Sequence, residues 1–209
     1  KMKKKIAFVH NAMWEMYNFR GELLQELKAK DYEITVICPP DEKNAHYFTD
    51  LGIKLLTVPM SRKGTNIKED VQLVKNLFKV YKKEKFDLVF HYTIKPNIYG
   101  TLAAKLAGIK SIAITTGLGY VFLHNNITSL IAKFMYKFSL AFANEVWFLN
   151  DDDMNIFLDK DLITERQAFK LPSEGINTKR FVPKEKSRKD NKTVFLMIAR
   201  VLYDKGFNE

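Results

Sequence analysis

The chain has 209 residues, of which 46% are hydrophobic and 28% are charged, and its formal net charge is +10. This apolar content is typical of a packed globular protein and excludes a disordered chain. The single cysteine, Cys38, excludes an internal disulfide, and the apolar run around it predicts a buried side chain.

Short apolar runs alternate with helical patterns along the chain. Eight of these runs predict β-strands, at residues 4–10, 33–38, 54–58, 87–92, 111–116, 145–149, 168–171 and 193–199. Most of the runs are continuously apolar, as expected for strands that are covered on both faces. The alternation of strands and helices therefore predicts an α/β fold with a doubly wound, parallel, Rossmann-like sheet.

Several of the predicted helices have recognisable ends. Asn66, followed three residues later by Glu69, resembles a capping box. Pro96 suits a first helical turn, and Gly108 suits a C-terminal exit. These signals predict helices that begin near residues 66 and 96.

The sequence NDDDM (150–154) has two interpretations. Three consecutive aspartates resemble the carboxylates that hold a metal and a nucleotide diphosphate. The favoured interpretation is a helix N-terminus, in which Asn150 or Asp151 is the cap and the acidic residues complement the helix dipole. The four histidines have no metal-ligand spacing, so we predict no metal site.

The most apolar long window covers residues 130–149. It contains two lysines, an asparagine and a glutamate, which argues against a transmembrane span. One helical face within residues 127–142 carries Ile127, Ile131, Phe134, Met135, Phe138 and Phe142. Two interpretations stay open: this helix packs its apolar face on the core, or it rests on an anionic membrane as a basic amphipathic helix.

Half of the net charge lies in residues 179–192, which hold seven Lys or Arg against two acidic residues. A solvated linker is favoured here over a nucleic-acid site, and no DNA- or RNA-binding motif is apparent. We therefore predict a first domain at residues 1–180, a basic linker at 181–192 and the start of a second domain, with its first strand, at 193–209.

Polar and glycine residues follow most of the predicted strands. In an open α/β sheet, ligands bind beyond the carboxyl ends of the strands. His10 and His91 at strand ends are candidates for acid–base or hydrogen-bonding roles, although a structural role is favoured for each alone. The sequence TTGLGY (115–120) predicts either a tight turn or a cradle for a phosphate or a sugar.

Five motifs occur in the order expected of a known family: NFRGELLQELKAKDYEITVICPP, HYTIKPNIYGTLAAKLAG, TTGLGYVF, LPSEGINTKRF and FLMIARVLYDKGFNE. As an ordered set they resemble glycosyltransferase family four, whose members are retaining enzymes with two Rossmann-like domains in the GT-B architecture. The chain looks most like the branch that assembles capsule, O-antigen and lipid-linked oligosaccharides in bacteria. The resemblance implies sugar transfer from a nucleotide-diphosphate sugar to a lipid-linked saccharide acceptor, without a cofactor.

The resemblance also implies roles for particular residues. Arg200, Lys205 and Gly206 would bind the diphosphate of the donor, and the family's two catalytic glutamates are expected beyond Glu209. The first domain would hold the acceptor, with cleft candidates Asn18, Arg20, Gly21, His91, Lys95, Thr116, Gly117, Gly119 and Glu174. Of these, Arg20 and Lys95 are expected to meet the lipid diphosphate. The family pattern has a histidine where this chain has Thr116, and its GSGVD turn is SEGIN here.

The resemblance, the net charge and the 127–142 helix together predict a cytoplasmic protein that attaches peripherally to the anionic inner leaflet of a bacterial cell membrane. The alternative is a non-catalytic Rossmann-like module that binds the acceptor. A nicotinamide-dependent oxidoreductase is disfavoured, because the turn after the first strand has no glycine before Gly21. A nucleic-acid partner is disfavoured because the charge is its sole support.

Overall fold

A parallel seven-stranded sheet organises the protein in a computed structural model that describes residues 3–61, 66–118, 122, 127–183, 193–199, 201 and 206. The strands are β1 (Lys5–Val9), β2 (Glu33–Cys38), β3 (Lys54–Thr57), β4 (Leu88–Tyr92), β5 (Lys110–Thr115), β6 (Glu145–Phe148) and β7 (Ala168–Lys170). Their order across the sheet is β3-β2-β1-β4-β5-β6-β7. The first seven predicted strands and their parallel arrangement are confirmed.

Helices lie between the strands in the described part of the chain. They are α1 (Met13–Ala29), α2 (Glu42–Asp50), α3 (Ile67–Glu84), α4 (Thr101–Ala107), α5 (Ile127–Leu140) and α6 (Asp151–Asp159). A π-helical turn, Pro96–Gly100, leads directly into α4. Pro96 occupies the first turn, and Gly108 ends α4 with a φ of +74°, as predicted.

Alternate residues of β1 enter two different parts of the core, because successive strand side chains point to opposite faces of the sheet. Ile6 and Phe8 pack with residues of α1 on one side. Ala7 and Val9 pack with residues of α3 and α4 on the other. A third cluster joins α5 and α6 to β6. Both faces of the sheet are thus covered, which confirms the doubly wound α/β fold.

Helix α5 does not bury the face that the apolar pattern marks. Its core-facing side carries Tyr136 and Leu140, which are buried beneath it. The predicted apolar face, with the exception of the half-buried Met135, is exposed. The interpretation that this face packs on the core is therefore wrong. No helix in the described ranges is long and apolar enough to cross a bilayer.

The chain divides into two compact units, Lys1–Glu174 and Gly175–Glu209. The first unit contains the sheet and the helices given above. In the second, residues 193–198 have no regular secondary structure, so the strand predicted at residues 193–199 is not formed. A strand requires a hydrogen-bonded neighbour, and the described residues of this unit contain no second strand to pair with it.

Candidate functional site

The strand order creates a topological switch point between β1 and β4. From β1 the chain winds outward through β2 to β3, and it then returns to β4 and winds outward in the opposite direction. Val9 of β1 pairs in register with His91 of β4, so the residues that follow these two strands lie side by side. Because open α/β sheets bind their ligands at this position, the residues around it form the candidate site.

His10 follows β1 and has a defined ring orientation. Its Nδ1 accepts a hydrogen bond from the backbone N–H of Ala12 at 3.0 Å, so the neutral ring carries its proton on Nε2. That Nε2 lies 3.8 Å from Oε2 of Glu15 in the first turn of α1. Glu15 was not among the predicted cleft residues, because an acidic residue in a first helical turn is ordinary.

Arg20 of α1 is buried at the same edge of the sheet. Its guanidinium donates to the carboxylate of Glu174 and lies 4.8 Å from the centre of the Tyr92 ring, which ends β4. Burial raises the pKa of the Tyr92 hydroxyl to about 12, against the opposing effect of the Arg20 charge. Arg20 and Glu174 were predicted separately as cleft residues, and the structure brings them together as an ion pair.

Lys95 begins the helical segment after β4 and is also buried. Its Nζ lies 2.7 Å from Oδ1 of Asp70 and 2.8 Å from the Ser61 hydroxyl. The other oxygen of Asp70 accepts from the Tyr99 hydroxyl at 2.8 Å. Burial, together with that bond, raises the pKa of Tyr99. Both cations that the resemblance assigns to a lipid diphosphate are therefore paired with carboxylates in this structure.

An open cavity of about 610 Å³ lies beside the Lys95 network. Residues after β2 and β3 form one wall, including Pro39, Pro59 and Met60, and residues of α3 form another, including Leu73. Lys95 reaches this cavity, whose walls are mostly apolar. A pocket at the carboxyl ends of parallel strands, with a few polar groups, is typical of a small-molecule site.

Two threonines at neighbouring strand ends have buried hydroxyls without a hydrogen-bond partner among the described residues. Thr93 follows β4 and Thr115 ends β5, and the pairing of Tyr92 with Ile114 makes the two threonines neighbours. The φ of Thr93 is +70°, which is uncommon for a β-branched residue. Unpaired buried polar atoms and strained backbone concentrate at functional sites, so Thr93 and Thr115 add to the candidate site.

His91 lies in the core and not in the cleft where it was predicted. The ring is fully buried, with Nε2 2.9 Å from the Tyr81 hydroxyl and Nδ1 3.4 Å from the Thr101 hydroxyl. Burial lowers the pKa of His91 to about 3, so the ring stays neutral near neutral pH. The residue alternation of β4 explains the error, because it directs His91 into the sheet face that α3 and α4 cover.

Gly100 is expected to be needed for this packing. A Cβ added at Gly100 would lie 2.5 Å from Cδ2 of His91, whose ring is enclosed and cannot move away. Gly100→Ala should therefore lower the free energy of unfolding by about 1–3 kcal/mol. Urea denaturation measures this change. Gly21→Ala is the matched control, because its Cβ would come no closer than 3.3 Å to a neighbouring side chain, the half-buried Tyr17. Equal losses in the two variants would contradict the prediction.

The other predicted cleft residues have varied positions. Asn18 is half-buried on α1, and Gly21 is buried on the same helix. Thr116 and Gly117 are exposed after β5, and Gly117 has a φ of +141°. Gly119, Arg200 and Lys205 lie outside the described residues. Gly206 is described and has a φ of +71° in the second unit.

The acidic stretch after β6 forms a helix N-terminus, which is the interpretation that the sequence favoured over a metal site. Asn150 accepts a hydrogen bond from the Asp153 backbone N–H at 2.7 Å and so caps α6. Asp151 pairs with Lys170 at 2.7 Å. Within the described ranges, no group of three or more His, Cys, Asp or Glu side chains is placed to hold a metal ion.

Comparisons with known proteins identify one matching family and two similar enzymes. The model of the family described as "Glycosyl transferase 4-like" matches residues 5–150. The N,N'-diacetylbacillosaminyl-diphospho-undecaprenol alpha-1,3-N-acetylgalactosaminyltransferase of Campylobacter jejuni is 32% identical, over 98% of this chain and 58% of that protein. The UDP-Gal:alpha-D-GlcNAc-diphosphoundecaprenol alpha-1,3-galactosyltransferase of Escherichia coli is 25% identical, over 84% of this chain and 47% of that protein. The chain thus spans about half the length of these curated relatives.

A solved structure of a UDP-N-acetylglucosamine 2-epimerase has the same fold. It matches with a TM-score of 0.61 over 80% of this chain and 48% of its own, at 18% sequence identity. At this identity the likeness shows the fold alone. The same architecture therefore serves different reactions on different proteins, and function has to be argued from the site.

Proposed function

Because the chain belongs to the glycosyl transferase 4-like family, we propose that the whole protein transfers a sugar from a nucleotide-diphosphate sugar to a lipid-linked saccharide acceptor, with retention of anomeric configuration. Two relatives named for transfer to diphospho-undecaprenol-linked saccharides support the acceptor class. The reaction would belong to the assembly of a bacterial surface polysaccharide. The cytoplasmic face of the cell membrane is its proposed location, because that is where a lipid-linked acceptor meets a soluble nucleotide sugar.

The observation that carries the proposal is the buried Arg20 at the switch point. A guanidinium binds carboxylates and phosphates with the same planar geometry, and here it holds the carboxylate of Glu174. We propose that a phosphate of the acceptor competes with Glu174 for Arg20. The hydroxyls of Thr93 and Thr115, which have no hydrogen-bond partner in the part of the chain that the structure describes, lie at the same edge of the sheet and would bind polar groups of the saccharide.

Binding of the donor remains a prediction. Arg200 and Lys205 would face the diphosphate of the nucleotide sugar, together with the turn at Gly206. Departure of this diphosphate from an oxocarbenium-like transition state builds negative charge on the leaving group, which two nearby cations stabilise. No metal or other cofactor is part of the proposal.

A transfer assay on the whole native protein tests the proposal. UDP-linked N-acetylgalactosamine and galactose are the first donors to try, with an undecaprenyl-diphosphate-linked saccharide as the acceptor and NMR of the product for its anomeric configuration. Failure to transfer with any donor, despite measurable acceptor binding, would favour the non-catalytic module. An inverted product would remove retention from the proposal.

Arg20→Gln separates the acceptor role from a general loss of activity. The loss of a charge-assisted hydrogen bond should raise the acceptor KM by about tenfold or more and leave the donor KM unchanged. Arg166→Gln, at an exposed arginine before β7, is the control and should alter neither constant. An unchanged acceptor KM in Arg20→Gln would remove this residue from the site.

A further inference from the structure

Helix α5 exposes a continuous stripe of large apolar side chains. Its members recur at helical spacing, and each is between 37% and 79% exposed: Ile127, Leu130, Ile131, Phe134 and Phe138 of the helix, and Phe142 just after it. We call these six residues the α5 face. Exposed apolar side chains are ordinary when they are scattered singly, whereas a contiguous set marks an interaction surface.

The opposite side of α5 is firmly packed, so the helix cannot rotate to bury the α5 face. Tyr136 is 2% exposed, and its ring lies 5.6 Å from that of Phe157 in α6. Leu140 is fully buried in the same cluster. The helix is therefore apolar on two sides, and only the side with Tyr136 and Leu140 packs against the core of this chain.

Two exposed lysines, Lys105 and Lys137, lie beside the α5 face. Residues 88–144, which include α4, β5 and α5, contain five lysines and no aspartate or glutamate. Lys137 is exposed at the margin of the stripe, seven residues after Leu130 and so on nearly the same side of the helix. Lys105 of α4 is also exposed, and its Nζ lies 5.5 Å from the centre of the Phe142 ring. An anionic partner is thus favoured over a neutral or cationic one.

We propose that the α5 face docks the protein on an anionic phospholipid bilayer, lying in the plane of the interface. In such a geometry, apolar side chains enter the headgroup and acyl boundary by about 5–10 Å, while flanking lysines contact lipid phosphates. The aromatic side chains Phe134 and Phe138 lie at the centre of the stripe and insert first. Lys105 and Lys137 remain at its edge, at the level of the headgroups.

The proposal deepens the membrane location given under the proposed function but rests on independent observations. The exposure of the α5 face and the lack of Asp and Glu in residues 88–144 do not depend on sugar transfer. A protein that binds vesicles yet transfers no sugar would therefore overturn the transfer reaction alone. A protein that transfers sugar to a soluble acceptor analogue yet binds no vesicles would overturn the docking surface alone.

Vesicle flotation with the 209-residue chain tests the proposal. The chain should float with vesicles of phosphatidylcholine and phosphatidylglycerol and much less with phosphatidylcholine alone. The triple variant Ile131→Ser, Phe134→Ser, Phe138→Ser should reduce the vesicle partition coefficient by at least about tenfold, because three inserted apolar side chains are lost. The double variant Lys105→Gln, Lys137→Gln should reduce it by about tenfold, and added salt should have a similar effect.

Matched controls lie on α3, which also carries exposed apolar and basic residues. Ile67→Ser with Val71→Ser removes two exposed apolar side chains, and Lys75→Gln with Lys79→Gln removes two exposed charges. Both should leave binding unchanged within about twofold, because the proposed contact does not include α3. Thermal unfolding by circular dichroism verifies that every variant is folded.

Two results would overturn the docking surface. One is equal flotation of the triple serine variant and the unaltered chain. The other is a dimer in sedimentation that the triple serine variant converts to a monomer, together with no binding to either vesicle. That second result would assign the α5 face to another copy of the chain.

Discussion

Replacing Asp70 with alanine is expected to lower the free energy of unfolding by about 3–5 kcal/mol. The side chains of Asp70 and Lys95 are 8% and 10% exposed, and they form an ion pair at 2.7 Å. Asp70 also accepts from Tyr99, so its loss removes two hydrogen bonds. The substitution leaves the buried ammonium of Lys95 with the Ser61 hydroxyl as its remaining described partner. Urea unfolding followed by circular dichroism measures the change.

An exposed ion pair of the same length provides the control. Asp151 and Lys170 also lie 2.7 Å apart, but both side chains are about half exposed. Asp151→Ala should therefore lower the free energy of unfolding by less than about 1 kcal/mol. The double variant Asp70→Leu, Lys95→Met should recover most of the stability lost in Asp70→Ala, because it removes both buried charges. A loss below about 1 kcal/mol for Asp70→Ala would show that water reaches Lys95.

The double variant also separates two roles of Lys95. If it is folded and the whole protein retains its acceptor KM, the lysine stabilises the fold and does not bind the acceptor. A raised acceptor KM in a folded double variant would support the predicted contact with a lipid diphosphate. This distinction matters because the sequence around Lys95 is compatible with both roles, as a buried lysine paired with a carboxylate and as a lysine that binds a phosphate.

The sheet could be predicted because each strand carries its own local signal. Runs such as EITVIC (33–38) and SIAITT (111–116) are apolar on both faces, and the observed β2 and β5 are buried on both faces. Helix ends are also local: Asn66 and Asn150 each accept a backbone hydrogen bond within three residues. The residues that determine each strand or helix end therefore lie within a few positions of it in the sequence.

The partners in the candidate site could not be predicted, because they are far apart in the chain. Glu174 meets Arg20 across 154 residues, and Asp70 meets Lys95 across 25. Each of these acids has an ordinary local interpretation, as a turn residue or as an acid in the first turn of a helix. The contacts exist because parallel strands bring separate loops to one edge of the sheet.

Periodicity also could not decide which side of α5 is buried. The apolar pattern of Ile127, Phe134 and Phe138 indicates a face, and burial was the conventional inference. The core selects the side with Tyr136 and Leu140, because their side chains reach the cluster around Phe157 and β6. An amphipathic pattern therefore identifies a surface that avoids water, and the tertiary structure determines whether the core of the chain covers it.

The stability of the protein is expected to fall with decreasing pH because of His91. Burial lowers the pKa of His91 to about 3 in the folded state, whereas an unfolded histidine titrates near 6.5. Protonation therefore favours the unfolded chain. The stabilising contribution is fully present above pH 6.5 and is lost as the pH falls towards 3, by up to about 1.4 kcal/mol per pH unit.

The interval from pH 7 to pH 5 isolates this effect, since ordinary carboxylates remain mostly ionised there. We expect the unaltered chain to lose about 2 kcal/mol of unfolding free energy over this interval through His91. Over the same interval, the His91→Gln variant should lose about 2 kcal/mol less unfolding free energy than the unaltered chain, because it lacks this histidine. The other histidines are present in both proteins, so their contributions cancel in the difference. Urea unfolding at pH 7, 6 and 5 provides the comparison. An identical pH dependence in the two proteins would indicate that water reaches His91 in the folded state. That result would contradict the burial of its ring among Tyr81, Gly100 and Thr101.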